Sequence, residues 1–337
     1  MTKKLHVCIH GAGGLGSVIG GRLARAGHQV TLIGRPAHME AIQANGLRLT
    51  GREDFIVKDN LRCTTHPDQV QGDIDYYILL TKQKAMAGAL ADAAVLNDRV
   101  RVALTLQNGT GKEAQLITAF GAERVIGGSI MEGGTLIAPG HTLNHVTTPT
   151  TAYFGELQGG ISERTETLAA AFCQAGLGAK SVEDIQHVLW EKVVQVGGAS
   201  AWSASTLVGN PELDFSDGFS CLEGAKHYVT IAKELLAIYA GLGYEPQNFY
   251  APLSFLKQIH ELDFDGAVAH CLELGKFFKT KPKGVRTSMH EDVLAARITE
   301  VDAIILPLLQ QAERLGIAVP TVLGAYRVIK TLDIYAK

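Results

Sequence analysis

A lysine and a glutamate stand where apolar residues are expected in the second half of the chain. The segment Ile185–Val196 places Ile185, Val188, Leu189, Val193 and Val196 on one helical stripe, and Lys192 falls inside it. A lysine there either runs its methylene stem out to solvent or lines a cleft. In a cleft, desolvation would bring its pKa from ~10.4 toward ~7–8, the range of a proton donor near neutral pH. Glu300 lies at the edge of the stripe of a last long helix, with Val293 and Ile304 about two turns and one turn away. It is either a partner for that lysine or a solvated boundary residue paired with Arg297.

A second kind of chemistry is written near the amino terminus. GAGGLG, Gly11 to Gly16, directly follows the apolar run Leu5–His10 and opens a helical stretch ending near Gly27. Gly11 permits a tight turn, Gly13 lets the backbone approach a phosphate, and Gly16 lets helix pack on strand. The N–H groups and helix dipole of this turn, with Gly14 and Leu15 in its first positions, face an anion. The alternative is that the glycines serve packing alone. The next strand, Gln29–Ile33, ends in Gly34-Arg35, with His38 nearby and no acid before Glu40. An acid at that point would bind the ribose 2′-OH of NAD; an arginine suits the 2′-phosphate of NADP. A surface arginine is the plainer reading.

The elements that must carry these groups alternate. Leu5–His10, Gln29–Ile33, Tyr76–Leu80, Val102–Leu106 and Val125–Ile130 are strand candidates separated by helical segments, the rhythm of a parallel, helix-covered α/β sheet. Leu47–Val57 and Thr135–Phe154 read as hairpins extending one edge of it. A helix near Ser162–Gly176 and a short strand near Val182 end the first domain, residues 1–182. From Glu183 onward the pattern is helical: Ile185–Ser205, Phe219–Leu242, Pro252–Ala267 and His290–Leu315 predict an all-α second domain, residues 183–337. A cleft between the domains is the default binding site. Lys82, after Tyr76–Leu80, and Asn108, after Val102–Leu106, follow strand ends where ligands bind; solvation, or an Asn108-Gly109 turn, is the alternative. Ser288 either caps the final helix or meets a ligand.

Composition narrows the partners. The chain has 337 residues, 46% of them apolar, and a net charge of −3, which gives no general attraction to nucleic acid. The basic cluster Lys276–Arg286 is too short to alter that. No run approaches ~18 apolar residues and no leader segment is visible, so a cytoplasmic protein without membrane attachment is expected. The five cysteines lack CxxC spacing and read as reduced, mostly buried thiols, with no metal site. Apolar stripes on the second-domain helices serve a core or a homodimer interface.

Taken in order, these pieces resemble the ketopantoate reductase (2-dehydropantoate 2-reductase) family across essentially the whole chain. The motifs are GAGGLG with Gly34-Arg35, Thr81-Lys82, Asn108-Gly109, Leu189-Trp190-Glu191-Lys192, Thr287-Ser288-Met289 with Asp292, Thr299-Glu300-Val301-Asp302, and Leu315-Gly316-Ile317-Ala318-Val319-Pro320. The resemblance implies a Rossmann-like amino-terminal domain and an all-α carboxy-terminal substrate and dimerisation domain. It further implies hydride transfer from NADPH to the C2 carbonyl of a 2-oxo acid, 2-dehydropantoate, giving pantoate for pantothenate biosynthesis. Lys192 would donate the proton, Glu300 would orient ligand and lysine, Asn108 and Lys82 would line the nicotinamide and substrate site, and Ser288 would meet the substrate carboxylate.

The chain departs from the family where the substrate's polar end should lie. Asparagines four and eight positions after the lysine are replaced by Val196 and Ser200, and an Asn-Gly segment after Asp302 by Ala303-Ile304-Ile305, leading to Pro307. Pro307 should kink the last long helix near Ala303. Gln195 could supply an amide, but it points about 100° away from residue 196, so the backbone would shift or the substrate would differ. A site short of donors discriminates poorly for a hydroxyl. Another branched or aromatic 2-oxo acid is the second substrate reading, and an NADPH sensor without turnover is the second class.

Overall fold

The computed structural model describes residues 4–145, 148–280 and 285–336. Two compact units emerge: Met1–Gln107 with Gly111–Leu189, and Trp190–Lys337 with Asn108–Thr110.

The first unit contains β1 (His6–His10), α1 (Gly14–Arg25), β2 (Gln29–Ile33), α2 (Pro36–Asn45), β3 (Leu47–Gly51), β4 (Phe55–Val57), β5 (Leu61–Thr64), β6 (Ile74–Leu79), α3 (Met86–Asp92), β7 (Val100–Thr105), α4 (Lys112–Phe120), β8 (Gly127–Ile130), β9 (Gly134–Ala138), β10 (His141–Asn144), β11 (Ala152–Gly155), α5 (Glu163–Gln174) and β12 (Ala179–Ser181). Its main sheet is parallel throughout, in the order β5-β2-β1-β6-β7. Alternation along β1 assigns the two faces. Val7 and Ile9 join the core of Val18, Ile19 and Leu23 of α1 and Phe172 of α5. Cys8 joins Met86 and Leu90 of α3 and Leu116 and Phe120 of α4. This is the Rossmann-like α/β arrangement that the alternating pattern implies.

Two expectations fail at its margins, and one strand goes unannounced. Val125–Ile130 does not extend the parallel sheet beyond one bridge from Val125 to Ala103; β8 instead pairs antiparallel with β11 in a three-stranded sheet. The two hairpins do not extend an edge either. They join each other through a parallel β3–β10 pairing, forming a separate sheet β4-β3-β10-β9. The main sheet's edge belongs to β5, whose short sequence Leu-Arg-Cys-Thr carries too little alternation to announce a strand.

The second unit is helical. A helix that begins in the first unit, α6 (Ile185–Thr206), is followed by α7 (Phe215–Phe219), α8 (Leu222–Gly241), α9 (Leu256–Glu261), α10 (Phe264–Lys279), α11 (Ser288–Leu294), α12 (Val301–Ile304), α13 (Leu306–Leu315) and α14 (Pro320–Ile334). Trp202 of α6 stacks on Phe219 at 4.5 Å between ring centroids and meets Tyr228 edge-on. Among the described residues, no helix is long and apolar enough to cross a membrane.

Of the long helices expected here, Ile185–Ser205 is α6 and Phe219–Leu242 is α8 with a later start; the other two are broken, and each change has a local reason. Phe219 ends α7, which Asp214 caps through the N–H of Ser216 at 2.8 Å, and the extended Cys221 starts α8. Asp263 caps α10 four residues before Ala267, so Pro252–Ala267 is not one helix. The stretch from His290 breaks twice: Ala296 takes φ +51 after α11, and Pro307 at the second position of α13 separates it from α12. Helix α14 was not foreseen, although Pro320 at its first position signals a helix start. Two cysteines, Cys173 and Cys221, are exposed, against the expectation of mostly buried thiols. Of the basic cluster, residues 281–284 lie outside the described residues; Lys276 pairs with Glu273 at 2.6 Å and Arg286 with Glu291 at 3.2 Å.

Candidate active site

In the first unit the candidate groups lie at the carboxyl ends of adjacent strands. β1 delivers the chain to Gly11, whose φ of +113 suits glycine. A Cβ on Gly11 would stand 2.5 Å from the main chain of Leu80 and Thr81, so the turn abuts the end of β6. Gly16 closes on the Gly11 carbonyl, where a Cβ would stand 2.3 Å from the oxygen. At Gly13, the N-cap of α1, an added Cβ would meet nothing within 4 Å. Space is therefore open beside Gly13 at the start of α1, whose first-turn N–H groups are those of Gly14, Leu15 and Gly16, with no acidic side chain in that turn. These features fit a pyrophosphate at a helix N-terminus.

Gly14 has a partner that its motif does not advertise. A Cβ there would lie 2.1 Å from the oxygen of Gly134, on β9. One residue before the turn, His10 is buried with Nδ1 2.7 Å from the Tyr77 hydroxyl. Burial holds the histidine pKa below its ordinary value and pushes that of Tyr77 well above. Sequence reading passed over this pair because residue 10 reads as one more position of a core strand.

Arg35 is exposed and is the N-cap of α2, directly behind β2. His38, expected beside it, turns inward. Its Nδ1 accepts from the Gly140 N–H at 2.9 Å, which leaves Nε2 to donate to the Ser17 hydroxyl at 2.9 Å. Burial lowers its pKa and keeps it neutral, so it is unsuited to a phosphate. Lys82 is exposed and precedes a 3₁₀ turn, Gln83–Ala85. The Gln107 amide donates to the Thr81 carbonyl, tying the ends of β6 and β7 together. Asn108 is half-buried, next to Gly109 at φ +93.

In the second unit Lys192 is buried, 6% exposed, which removes the snorkelling alternative. Its neighbour Glu191 was overlooked: 1% exposed, it accepts from the Gln247 N–H at 2.6 Å and the Phe249 N–H at 2.9 Å. Glu300 is not on the stripe of a long helix. It is the N-cap of α12, and its carbonyl accepts from the N–H groups of Ala303 and Ile304. Val293 sits on a separate helix, and Arg297 pairs with Asp292 at 2.7 Å. The turn bearing Glu300 is anchored one residue earlier, where Thr299 donates through N and Oγ1 to Asp333 of α14 at 2.9 and 3.0 Å.

Ser288 does not cap its helix. Thr287 does, accepting from the His290 N–H at 3.1 Å, and its Oγ1 lies 3.1 Å from the Ser203 hydroxyl. Ser203 is three turns along α6 from Lys192, roughly 16 Å of helix rise, so Ser288 follows a residue fastened to the far part of the same helix. At the positions of departure, Val196 is half-buried. Ser200 is fully buried, and its hydroxyl has no hydrogen-bond partner among the described residues. The Gln195 amide donates to the Leu253 carbonyl at 2.9 Å.

Comparison with known proteins follows the same two-part division. Residues 7–159 match the ketopantoate reductase PanE/ApbA family and residues 184–333 its C-terminal domain. The 2-dehydropantoate 2-reductase of Archaeoglobus fulgidus is 28% identical over 314 residues, covering 92% of each chain. That of Pyrococcus horikoshii is 35% identical over 192 residues, 56% of this chain and 60% of the relative. The crystal structure of 2-dehydropantoate 2-reductase from Methylococcus capsulatus is 26% identical, with a TM-score of 0.76 over 99% of this chain and 98% of that one. With both domains matched, the chain belongs to the ketopantoate reductase PanE/ApbA family, oxidoreductases acting on a CH–OH group with a nicotinamide cofactor.

Proposed function

We propose that this enzyme reduces the C2 carbonyl of a 2-oxo acid using NADPH, with 2-dehydropantoate as the first candidate substrate and pantoate as the product, a step of pantothenate biosynthesis. The single observation that carries the reading is Lys192, a buried lysine on α6 in a family of reductases. NADPH, when bound, supplies the hydride. The turn Gly11–Gly16 would hold its pyrophosphate and Arg35 its 2′-phosphate. Lys192 would donate a proton to the carbonyl oxygen as negative charge develops there, so that hydride and proton together convert the ketone to the alcohol. Glu300 would orient lysine and ligand, Lys82 and Asn108 would line the nicotinamide and substrate, and Ser288 would meet the substrate carboxylate. In this reading residues 1–182 bind cofactor and residues 183–337 bind substrate.

A second substrate reading has its own support. On α6, the positions beyond Lys192 on its own side are Val196 and Ala199, both half-buried. Gln195 and Ser203 nearby donate to or meet other protein groups. Where the family carries asparagines, Val196 offers a substrate hydroxyl no polar group, and beside it on α6 only Gln195 Oε1 and the Ser200 hydroxyl stay unpartnered among the described residues; the loss of those amides favours a branched or aromatic 2-oxo acid.

NADPH absorbance followed against a panel of 2-oxo acids tests both readings, with Lys192→Ala measured alongside. A preference for 2-dehydropantoate supports the first and a preference for branched or aromatic acids the second. Tight NADPH binding with no oxidation on any acid would instead mark a sensor. Lys192→Ala should lose roughly 10²–10⁴ in kcat with NADPH affinity nearly unchanged; turnover near the wild-type rate would overturn the proton-donor role.

A further inference from the structure

Helix α6 carries two side chains, one residue before Lys192 and three after it, whose polar ends meet the same stretch of chain. The Glu191 carboxylate accepts from the N–H groups of Gln247 and Phe249 at 2.6 and 2.9 Å, and its Oε2 lies 3.5 Å from the Tyr239 hydroxyl. Gln195 Nε2 donates to the Leu253 carbonyl at 2.9 Å. On a helix these two residues are about 40° apart around the axis, so they lie on one face. Lys192 stands between them in sequence, about 100° around from Glu191.

The stretch they reach joins α8 to α9 without a regular element, from Leu242 to Phe255. It is long for a connection between helices in a compact unit, and such connections usually serve a site. It also has a fixed shape. Asn248 takes φ +56, its Oδ1 accepts from the Lys257 N–H at 2.9 Å and its Nδ2 donates to Gln258 at 2.7 Å. Tyr250 and Ser254 are buried.

Burying a carboxylate beside an apolar core is unfavourable unless its oxygens are hydrogen-bonded. An apolar residue at 191 would pack as well and leave two backbone N–H groups without an acceptor. What the glutamate adds is attachment.

We propose that Glu191 is a positioning residue for Lys192: together with Gln195 it fastens the segment Gln247–Leu253 alongside the helical turn that bears the lysine, and so fixes where the ammonium is presented. The inference rests on the reading of Lys192 as proton donor. Glu191 itself touches neither substrate nor cofactor in this scheme.

The test compares wild type, Glu191→Gln and Glu191→Asp as full-length proteins, by hydrogen exchange and by steady-state kinetics with the best acid of the panel. Glutamine keeps the length but offers one acceptor and an NH₂ to two N–H donors. Exchange at the Gln247 and Phe249 amides should then rise about tenfold or more. Its kcat, counted per NADPH-binding site so that misfolded protein is excluded, should fall roughly ten- to a hundredfold, while KM and NADPH affinity hold. Aspartate retains two acceptor oxygens on a shorter arm and should recover most of kcat.

Unchanged exchange in Glu191→Gln would overturn the attachment. Faster exchange with wild-type kcat per site would overturn the positioning role. If wild type turns over no 2-oxo acid, the reading of Lys192 fails first and the positioning role falls with it, an outcome distinct from either.

Discussion

The two units fix their candidate groups by different means. In the first, main chain packs on main chain: Gly11 against Leu80 and Thr81, Gly16 against Gly11, Gly14 against Gly134. In the second, carboxylates reach across to backbone N–H groups. Glu191 holds Gln247 and Phe249. Glu234 of α8 accepts from Thr321 and Val322 at 2.9–3.0 Å, at the start of α14. Asp333 holds Thr299, one residue before Glu300. A contact between backbones tolerates no added atom, whereas a side-chain contact can be weakened by degrees. The glycine unit should therefore respond to substitution all at once, and the helical unit in steps.

The widest separation is expected between Gly14→Ala and Glu234→Gln. The new methyl at residue 14 would press on the Gly134 carbonyl, a neighbour with no rotamer to change, and should cost about 3 kcal/mol in urea unfolding. NADPH affinity should fall with it, because the same turn forms the anion cradle. Glu234→Gln weakens a helix-end contact and should cost about 1–2 kcal/mol. Equal losses would break the contrast.

The same difference explains what could be read in advance. Glycine spacing is local, so GAGGLG announced its strand, turn and helix. Parallel-sheet alternation announced four of the five main strands, while β5 was silent because its pairing is set by β2 rather than by its own pattern. Partners of the carboxylates lie far off in sequence, 34 residues for Asp333 and Thr299 and 87 for Glu234 and Thr321. No periodicity reports such pairs. The helix breaks were missed in the same way: apolar spacing continued through Ala296 and Ile305, while the chain turned at a left-handed residue and a proline. Glu300 accordingly moved from a helix face to a helix N-cap. Lys192 was legible because burial contradicts its type, and Glu191 was overlooked beside it although the same contradiction applies.

A smaller effect separates cofactor from fold within the first unit. Arg35 is exposed, and among the described residues none of the hydrogen bonds or ion pairs above uses its side chain. Arg35→Ala should leave unfolding unchanged and raise the dissociation constant for NADPH roughly ten- to a hundredfold, the worth of a charge-assisted contact, with little change for NADH. Equal effects on both cofactors, measured by fluorescence titration, would sink the 2′-phosphate assignment and leave the glycine turn as a binder of either dinucleotide.

The smallest effect probes one of the first unit's side-chain fastenings. Glu156, just past β11, is gripped by Arg164 of α5 through two hydrogen bonds, Nε to Oε1 at 2.7 Å and Nη2 to Oε2 at 2.6 Å. Those hydrogen bonds lower its pKa; burial opposes them, and the Ser162 hydroxyl and the arginine charge add to the lowering. A carboxylate with a depressed folded pKa stabilises the protein fully above its unfolded value of about 4.3 and loses that contribution as pH falls through the folded value. The stability gap between wild type and Glu156→Gln should thus be widest near neutral pH and shrink below about pH 4.3. A gap that holds constant down to pH 3 would mean that the pair acts through packing alone. At this point the first unit would then carry no charge-based fastening, unlike the carboxylate-held helices.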